Sequence, residues 1–304
     1  MSKMDRNAIL KLCEDIKKSE GDSIYSLGSE SANLKMPRWK TGIEDLDNII
    51  GGGMPEGRII EIYGAESAGK TTLAYHMCGL HEMCLDIPIE GTFDAERAKV
   101  FGNRPKQMLV YRAQWGEDAM NKAIKFAQKG IPLIVIDSVP FCTPYEDVEK
   151  IMKAVNKDAE IEQRIGGVAR LMTKYMPVLN NIVEQTGTTV IMINQVRDAI
   201  GALPFTEQTK TPGGHILKHS YSLRLQVARK GWIEIPNYNP SIASQKEKIG
   251  LVMKVKVTKS KISNPQGECE IPLFFDRGFV SFEDVDSIRD EIMKEHKARW
   301  GKRK

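Results

Sequence analysis

No C-x-x-C pair occurs among the five cysteines, which stand scattered at positions 13, 78, 84, 142 and 269. Their odd number and spacing argue against both a disulfide framework and a zinc site and fit a reducing cytoplasm. Long hydrophobic runs are missing too: no window approaches the roughly 20 apolar residues of a membrane span. The N-terminal "MSKMDRNAIL" also lacks the apolar core of a signal peptide, so a cytoplasmic protein with no membrane partner is expected. There is no internal repeat or low-complexity tract, which disfavours tandem domains. Charge of one sign is not in excess either. The net charge is only +4, so any nucleic-acid binding has to come from local clusters rather than a cationic surface as a whole. What remains, 41% hydrophobic and 28% charged residues in 304, is an ordinary globular composition with enough length for a sizeable core.

Residues 5–19 place Ile9, Leu10, Cys13 and Ile16 at helical spacing, which predicts a short amphipathic helix unable to stand alone. "SIYSLG" follows as a strand-like run, and residues 1–34 together are expected to be an arm that docks elsewhere. From residue 58 the pattern alternates: strand "RIIEIYG", a helix from "KTTLAYH", strand "LDIPIE", a helix after "TFDAERAKVFG", strand "QMLVYR", helix "EDAMNKAIKFAQK", strand "PLIVIDS". Strands alternating with helices imply an α/β fold with a mostly parallel, twisted sheet flanked by helices. A long helix through "RIGGVARLMTKYMPVLNNIVEQ" is expected to break near Pro177, and strand "TTVIMINQ" follows. "YSLRLQVAR", "KIGLVMKVKVTKS" and "ECEIPLFF" complete the sheet, giving a core over 35–282 and a basic helix and tail over 283–304.

Between the first strand and its helix lies "GAESAGKTT", residues 64–72, which satisfies G-x-x-x-x-G-K-[ST] in the strand–loop–helix context that makes the string a phosphate site. Gly64, Glu66, Ser67, Ala68, Gly69, Lys70, Thr71 and Thr72 are the predicted cradle: backbone N–H groups curl round the phosphates, Lys70 reaches the terminal ones, and the Thr71 hydroxyl ligates Mg2+. No N-K-x-D string reads guanine, so the nucleotide is expected to be ATP. Asp137 ends a buried strand downstream and points toward the same metal. Glu90, at the end of "LDIPIE", is preferred over Glu96 as the group that polarises the attacking water, because strand ends present side chains at the top of the sheet. Gln195 ends the next strand, where a polar tip could sense the γ-phosphate. The polar, glycine-containing segment after it has the composition of a ligand-touching loop.

These strings, with "TGIEDLDNIIGGGMPEGRIIEIYGAESAGKTT", "LIVIDSV", "INQVR", "PGGHILKHSYSLRL" and "KVTKSKI" in order, resemble the RecA family of DNA recombinases over residues 1 to about 285. The resemblance implies a RecA-like ATPase core forming a helical filament on single-stranded DNA, with ATP and Mg2+ between protomers. It also implies pairing with homologous duplex DNA and strand exchange driven by DNA-stimulated hydrolysis. It makes Glu90 the catalytic glutamate, in an "EGTF" setting more like the archaeal and eukaryotic recombinases, and Gln195 the residue coupling nucleotide to DNA. Lys259 and Lys261 become the pair that reaches into the neighbour's ATP from one face of a strand, and Asp94, Arg97 and Phe275 join the nucleotide site. A first DNA loop is expected around 155–168, with Arg164, Gly166 and then Arg170. A second is expected around 197–215, with Arg197, Gly213 and Gly214, holding phosphates without reading bases.

Two departures stand out. Pro88 occupies the place where the family usually has an Asp two residues before the glutamate. The chain also stops soon after the core, without the bacterial C-terminal domain and acidic tail, and ends in Lys294, Lys297, Arg299, Lys302, Arg303 and Lys304. That basic end is expected to contact duplex DNA, and a reduced core of this kind suits a phage or mobile-element recombinase. A ring-forming helicase or a recombination mediator using the same ATP site are the alternatives.

Overall fold

The computed structural model describes residues 6–20, 36–157, 166–198, 209–239, 245–262 and 267–301. Residues 1–37 and 38–304 form separate compact units. In the first, α1 (Arg6–Glu20) is the predicted amphipathic helix, and it exposes Ile9, Leu10 and Leu12. "SIYSLG" lies outside the described residues.

The second unit is built on one twisted sheet. Its elements run β1 (Arg38–Trp39), α2 (Glu44–Ile49), β2 (Met54–Pro55), β3 (Ile59–Gly64), α3 (Lys70–Gly79), β4 (Cys84–Pro88), α4 (Ala95–Val100), β5 (Met108–Val110), α5 (Gly116–Ala127) and β6 (Leu133–Asp137). Then come α6 (Tyr145–Val155), α7 (Gly167–Thr186), β7 (Thr189–Gln195), β8 (Arg197–Asp198), β9 (Thr209–Lys210), α8 (Gly214–Ser220), β10 (Leu223–Pro236), β11 (Lys246–Ser260), β12 (Glu268–Phe274), β13 (Gly278–Phe279) and α9 (Val285–Gly301). The nine-stranded sheet has the order β13-β12-β11-β10-β3-β7-β6-β4-β5. It is parallel from β10 through β5 and antiparallel from β10 out to β13.

Period-two alternation divides the apolar strand residues between two cores. Ile60, Ile62, Val135 and Ile193 pack with α3 on one face, while Ile59, Ile134, Ile136 and Met192 pack with α5 and α7 on the other. β10 and β11 outrun the rest of the sheet: only Leu223–Val227 of β10 pairs with β3, and the extension carries α9, whose Ile292 seats against Ile233, Ile235, Ile249 and Phe274.

The structure corrects three sequence expectations. The helix expected after "TFDAERAKVFG" forms inside that string, because Asp94 accepts the Arg97 N–H at 3.0 Å and caps α4 there. α7 does not break at Pro177 but runs unbroken through it for 20 residues. Proline removes one backbone donor on the exposed side, while Leu171, Met172, Met176, Leu179 and Val183 bury the other side in the core and hold both halves in line. Third, β11 ends at Ser260, so Lys261 lies beyond the strand that was expected to present both lysines, and a register shift at Arg224/Leu225 twists the strand end just before them.

Candidate functional site

Buried β3 delivers the chain to the phosphate loop, and two of its glycines are there for physical reasons. A Cβ at Gly64 would stand 2.0 Å from the Val227 carbonyl oxygen of β10. Gly69 has φ +93° and caps α3, with Met253 Cε only 2.4 Å from where a Cβ would be. At the start of α3, Lys70 is buried and its Nζ donates to Ala65 O at 2.7 Å. Burial pulls its pKa down while Asp137, Glu90 and Glu66 push it back up. The Thr71 hydroxyl donates to Asp137 Oδ2 at 2.6 Å. Burial raises the Asp137 carboxyl to about 6, aided by Glu90 and opposed by the Thr71 hydrogen bond and Lys70. A hydroxyl and a buried carboxylate converging at the loop form a hard-oxygen donor pair of the kind Mg2+ takes, and the shortage of compensating positive charge leaves room for a cation.

Glu90 lies in the turn two residues past β4, exposed; its backbone N–H donates to Asp137 O at 3.1 Å, and its Oε2 accepts from the Ser138 hydroxyl at 3.1 Å. The competing Glu96 is on exposed α4, paired with Lys99 at 2.6 Å and committed elsewhere. The family's supporting acid is indeed replaced by buried Pro88, yet β4 does carry a carboxylate two residues deeper on the same strand face. Asp86 is 1% exposed, neither of its oxygens has a hydrogen-bond partner, and burial reinforced by Asp137 drives its pKa well up. No sequence expectation named it, although an acid inside "CLDIP" is itself a signal.

A cleft of about 440 Å3 opens beside the loop, lined by Ser67, Gly69, Lys70, Thr71 and Thr72 and by Asp94, Arg97 and Phe275. Arg97 Nη2 donates to Thr72 Oγ1 at 2.7 Å, locking α4 to α3. Tyr75, Thr92, Trp232 and Leu251 also line it and were not anticipated. Trp232, half-buried on the β10 extension, meets Phe275 edge to face with centroids 6.3 Å apart. Arg229 lies over its ring at 4.2 Å and Lys248 at 4.5 Å. Glu66 is exposed at the loop's tip and Ala68 buried beneath it.

Gln195 ends β7 in register with Gly64 of β3, so it adjoins the phosphate loop. Lys259 and Lys261 do not line the cleft. Both ammonium groups instead turn inward to the C-terminal carbonyls of α8: Lys259 donates to Lys218 O and His219 O, and Lys261 donates to His219 O. Of the loop residues, Gly166 caps α7 with φ +87° and Arg170 is exposed on its first turn. Gly213 and Gly214 open α8 with φ +103° and +79°. A Cβ on Gly214 would lie 3.0 Å from Ala169 Cβ, so the far ends of the two expected DNA loops meet at the α7–α8 contact. Arg164 lies outside the described residues, and of Arg197 only the backbone, paired with Lys210, is described.

Comparison with known proteins bears on this arrangement directly. The family model described as the RecA N-terminal domain matches residues 7–280. This chain belongs to the RecA family. It is 33% identical to Protein RecA of Malacoplasma penetrans over 306 residues, covering 97% of this chain and 86% of that one. Protein RecA of Campylobacter jejuni is 36% identical over 244 residues, covering 78% of this chain but 66% of the relative, so the chain spans just under two thirds of that relative's length. Protein RecA of Cereibacter sphaeroides is 34% identical over 262 residues, covering 84% and 71%. The mixed sheet with its flanking helices is the RecA-like core that family membership requires. Among the described residues no helix is long and apolar enough to cross a membrane.

Proposed function

We propose that this RecA-family chain is an ATP-dependent recombinase that assembles as a helical filament on single-stranded DNA, pairs it with homologous duplex DNA and exchanges strands in recombination and repair. The observation that supports it best is the placement of Gln195. It adjoins the phosphate loop through β3, while two residues later the same chain enters β8 and the segment expected to hold DNA. On this reading one strand end serves both ligands.

In this reading Lys70 and the loop's N–H groups bind the ATP phosphates, and Trp232 with Phe275 walls the base. Thr71 and Asp137 would hold Mg2+, whose charge would offset that of the phosphates. Glu90, steadied by Ser138, takes the proton of the attacking water. Lys259 and Lys261 leave the α8 carbonyls to enter a neighbour's site, where they stabilise developing charge. The exposed α1 and the basic residues Lys294, Lys297 and Arg299 of α9 are the surfaces for a neighbouring protomer and for duplex DNA.

Electron microscopy with single-stranded DNA and a slowly hydrolysed ATP analogue tests the whole. Extended helical filaments that require nucleotide and are lost in Lys70→Ala are expected. Closed rings would point to a helicase, and dispersed particles to a mediator.

A further inference from the structure

Three neighbouring strands of the parallel sheet bring a charged or amide side chain together on one face, beside the core covered by α5 and α7. Glu61 of β3 and Asn194 of β7 are fully buried, and Arg224 of β10 is 11% exposed at its side chain. Glu61 Oε2 accepts from Arg224 Nε, and Glu61 Oε1 accepts from Asn194 Nδ2 at 2.8 Å. A charge pair this deep is costly to desolvate and survives only when its remaining hydrogen-bonding positions are also filled. The partners that fill them are all at functional boundaries. Asn194 Nδ2 also donates to Pro212 O at 3.0 Å, and Asn194 Oδ1 accepts the backbone N–H of Gln195 at 3.0 Å. Arg224 Nη2 donates to Thr211 Oγ1 at 3.3 Å, and its guanidinium lies over the Tyr63 ring at 4.7 Å, one residue before the phosphate loop begins. On the other side Arg224 is the cross-strand partner of Lys259.

We propose that Glu61, Asn194 and Arg224 form a positioning device that links the end of the second DNA segment, at Thr211–Pro212, to the aim of Gln195 and the reach of Lys259. A displacement of Thr211–Pro212 pulls on Asn194 and Arg224, and both side chains are also bonded to Glu61 of β3, the strand that leads into the phosphate loop. α8 supplies a second route in the same direction. It begins at Gly213–Gly214, immediately after Pro212, and ends in the carbonyls on which Lys259 and Lys261 rest. The device binds neither ATP nor DNA itself. Its effect is to make hydrolysis answer to DNA.

The inference rests on the recombinase reading, and its test separates the two. ATP hydrolysis is measured with and without single-stranded DNA for the full chain, Arg224→Lys and Thr211→Val, with DNA affinity, ATP KM and melting temperature alongside. Arg224→Lys keeps the charge but loses the fork that spans Glu61 and Thr211. Thr211→Val removes only the peripheral bond and keeps the shape, so it remains informative if Arg224→Lys fails to fold. The expected result is a fall in DNA stimulation of at least tenfold in Arg224→Lys and about threefold in Thr211→Val, with DNA affinity and ATP KM within threefold of the parent. Stimulation within twofold of the parent in folded Arg224→Lys, or in Thr211→Val if the other does not fold, overturns the proposal. So does a loss of stimulation matched by an equal loss of DNA affinity, which would make these residues DNA contacts. An unsubstituted protein whose hydrolysis ignores DNA overturns the recombinase reading itself.

Discussion

Trp232 reaches the cleft beside the phosphate loop only because β10 continues past β3, so the base-walling role proposed for it rests on the tertiary structure and not on any motif around that loop. A base held against an aromatic ring gains about 1–3 kcal/mol. Trp232→Ala is therefore expected to weaken ATP about tenfold by calorimetry and Trp232→Phe much less, while inorganic tripolyphosphate, which has no base, binds all three proteins alike. Asp137 gives a prediction of opposite character. Its folded pKa, about 6 against 3.8, means the folded chain holds a proton that the unfolded chain has already lost between those values. Stability therefore falls as pH rises through that window, by about 3 kcal/mol at full ionisation. Asp137→Asn should melt higher than the parent at pH 7 without nucleotide, with the gain vanishing below pH 4, and the same substitution should abolish Mg2+-dependent ATP binding. Glu90 was expected at a strand end but stands in the turn two residues past β4. At this scale the convergence of the phosphate loop with Asp137 was legible, because a strand–loop–helix string and a buried strand ending in an acid are both local patterns. Trp232, Asp86 and the Glu61–Asn194–Arg224 set were not, since each depends on which strand lies beside which. The only local hint was a polar residue inside an apolar run, as in "IIEIYG" and "LRLQV".

Among the elements, α7 carries an unnecessary defect. Pro177 is exposed and lies eleven residues into the helix, where no neighbouring N–H can replace the one it lacks. Pro177→Ala restores the bond to the Thr173 carbonyl and is expected to stabilise the chain by about 1–3 kcal/mol, read as a rise in the denaturant midpoint at unchanged m-value. The breaker rule outweighs its due when α7 is read from the string alone, because five side chains of one helix face are committed to the core. The strands were legible for the converse reason: continuous apolar runs of five to seven residues bounded by turn residues have few other uses. α6 escaped notice altogether. It buries none of its residues, and Tyr145, Ile151, Met152 and Val155 stand exposed along it; its first residue anchors it to the α5 end, where the Tyr145 N–H donates to Glu117 Oε2 at 2.8 Å and the Tyr145 ring meets Trp115 at 4.9 Å between centroids.

For the molecule as a whole, the exposed apolar residues of α1 set the expectation for assembly. Replacing Leu10 and Leu12 by Asp should leave ATP affinity unchanged while suppressing DNA-independent self-association in sedimentation velocity, since each removes apolar surface that α1 exposes. The α/β class and the mostly parallel sheet followed from the alternation of patterns along the chain, but the order of the strands did not, since alternation does not say which strands lie side by side. The long antiparallel flank was foreseen as strands but not as a platform, because its reach is set by the pairing of β10 with β11 and of β11 with β12, beyond the end of β3. The resting place of Lys259 and Lys261 has one more consequence. On the proposed reading a protomer diffusing alone meets ATP constantly, and with Lys259 and Lys261 moored to its own α8 it does not offer this pair to another copy. Idle turnover is then suppressed by default, and the fuel is spent only where protomers stand in line.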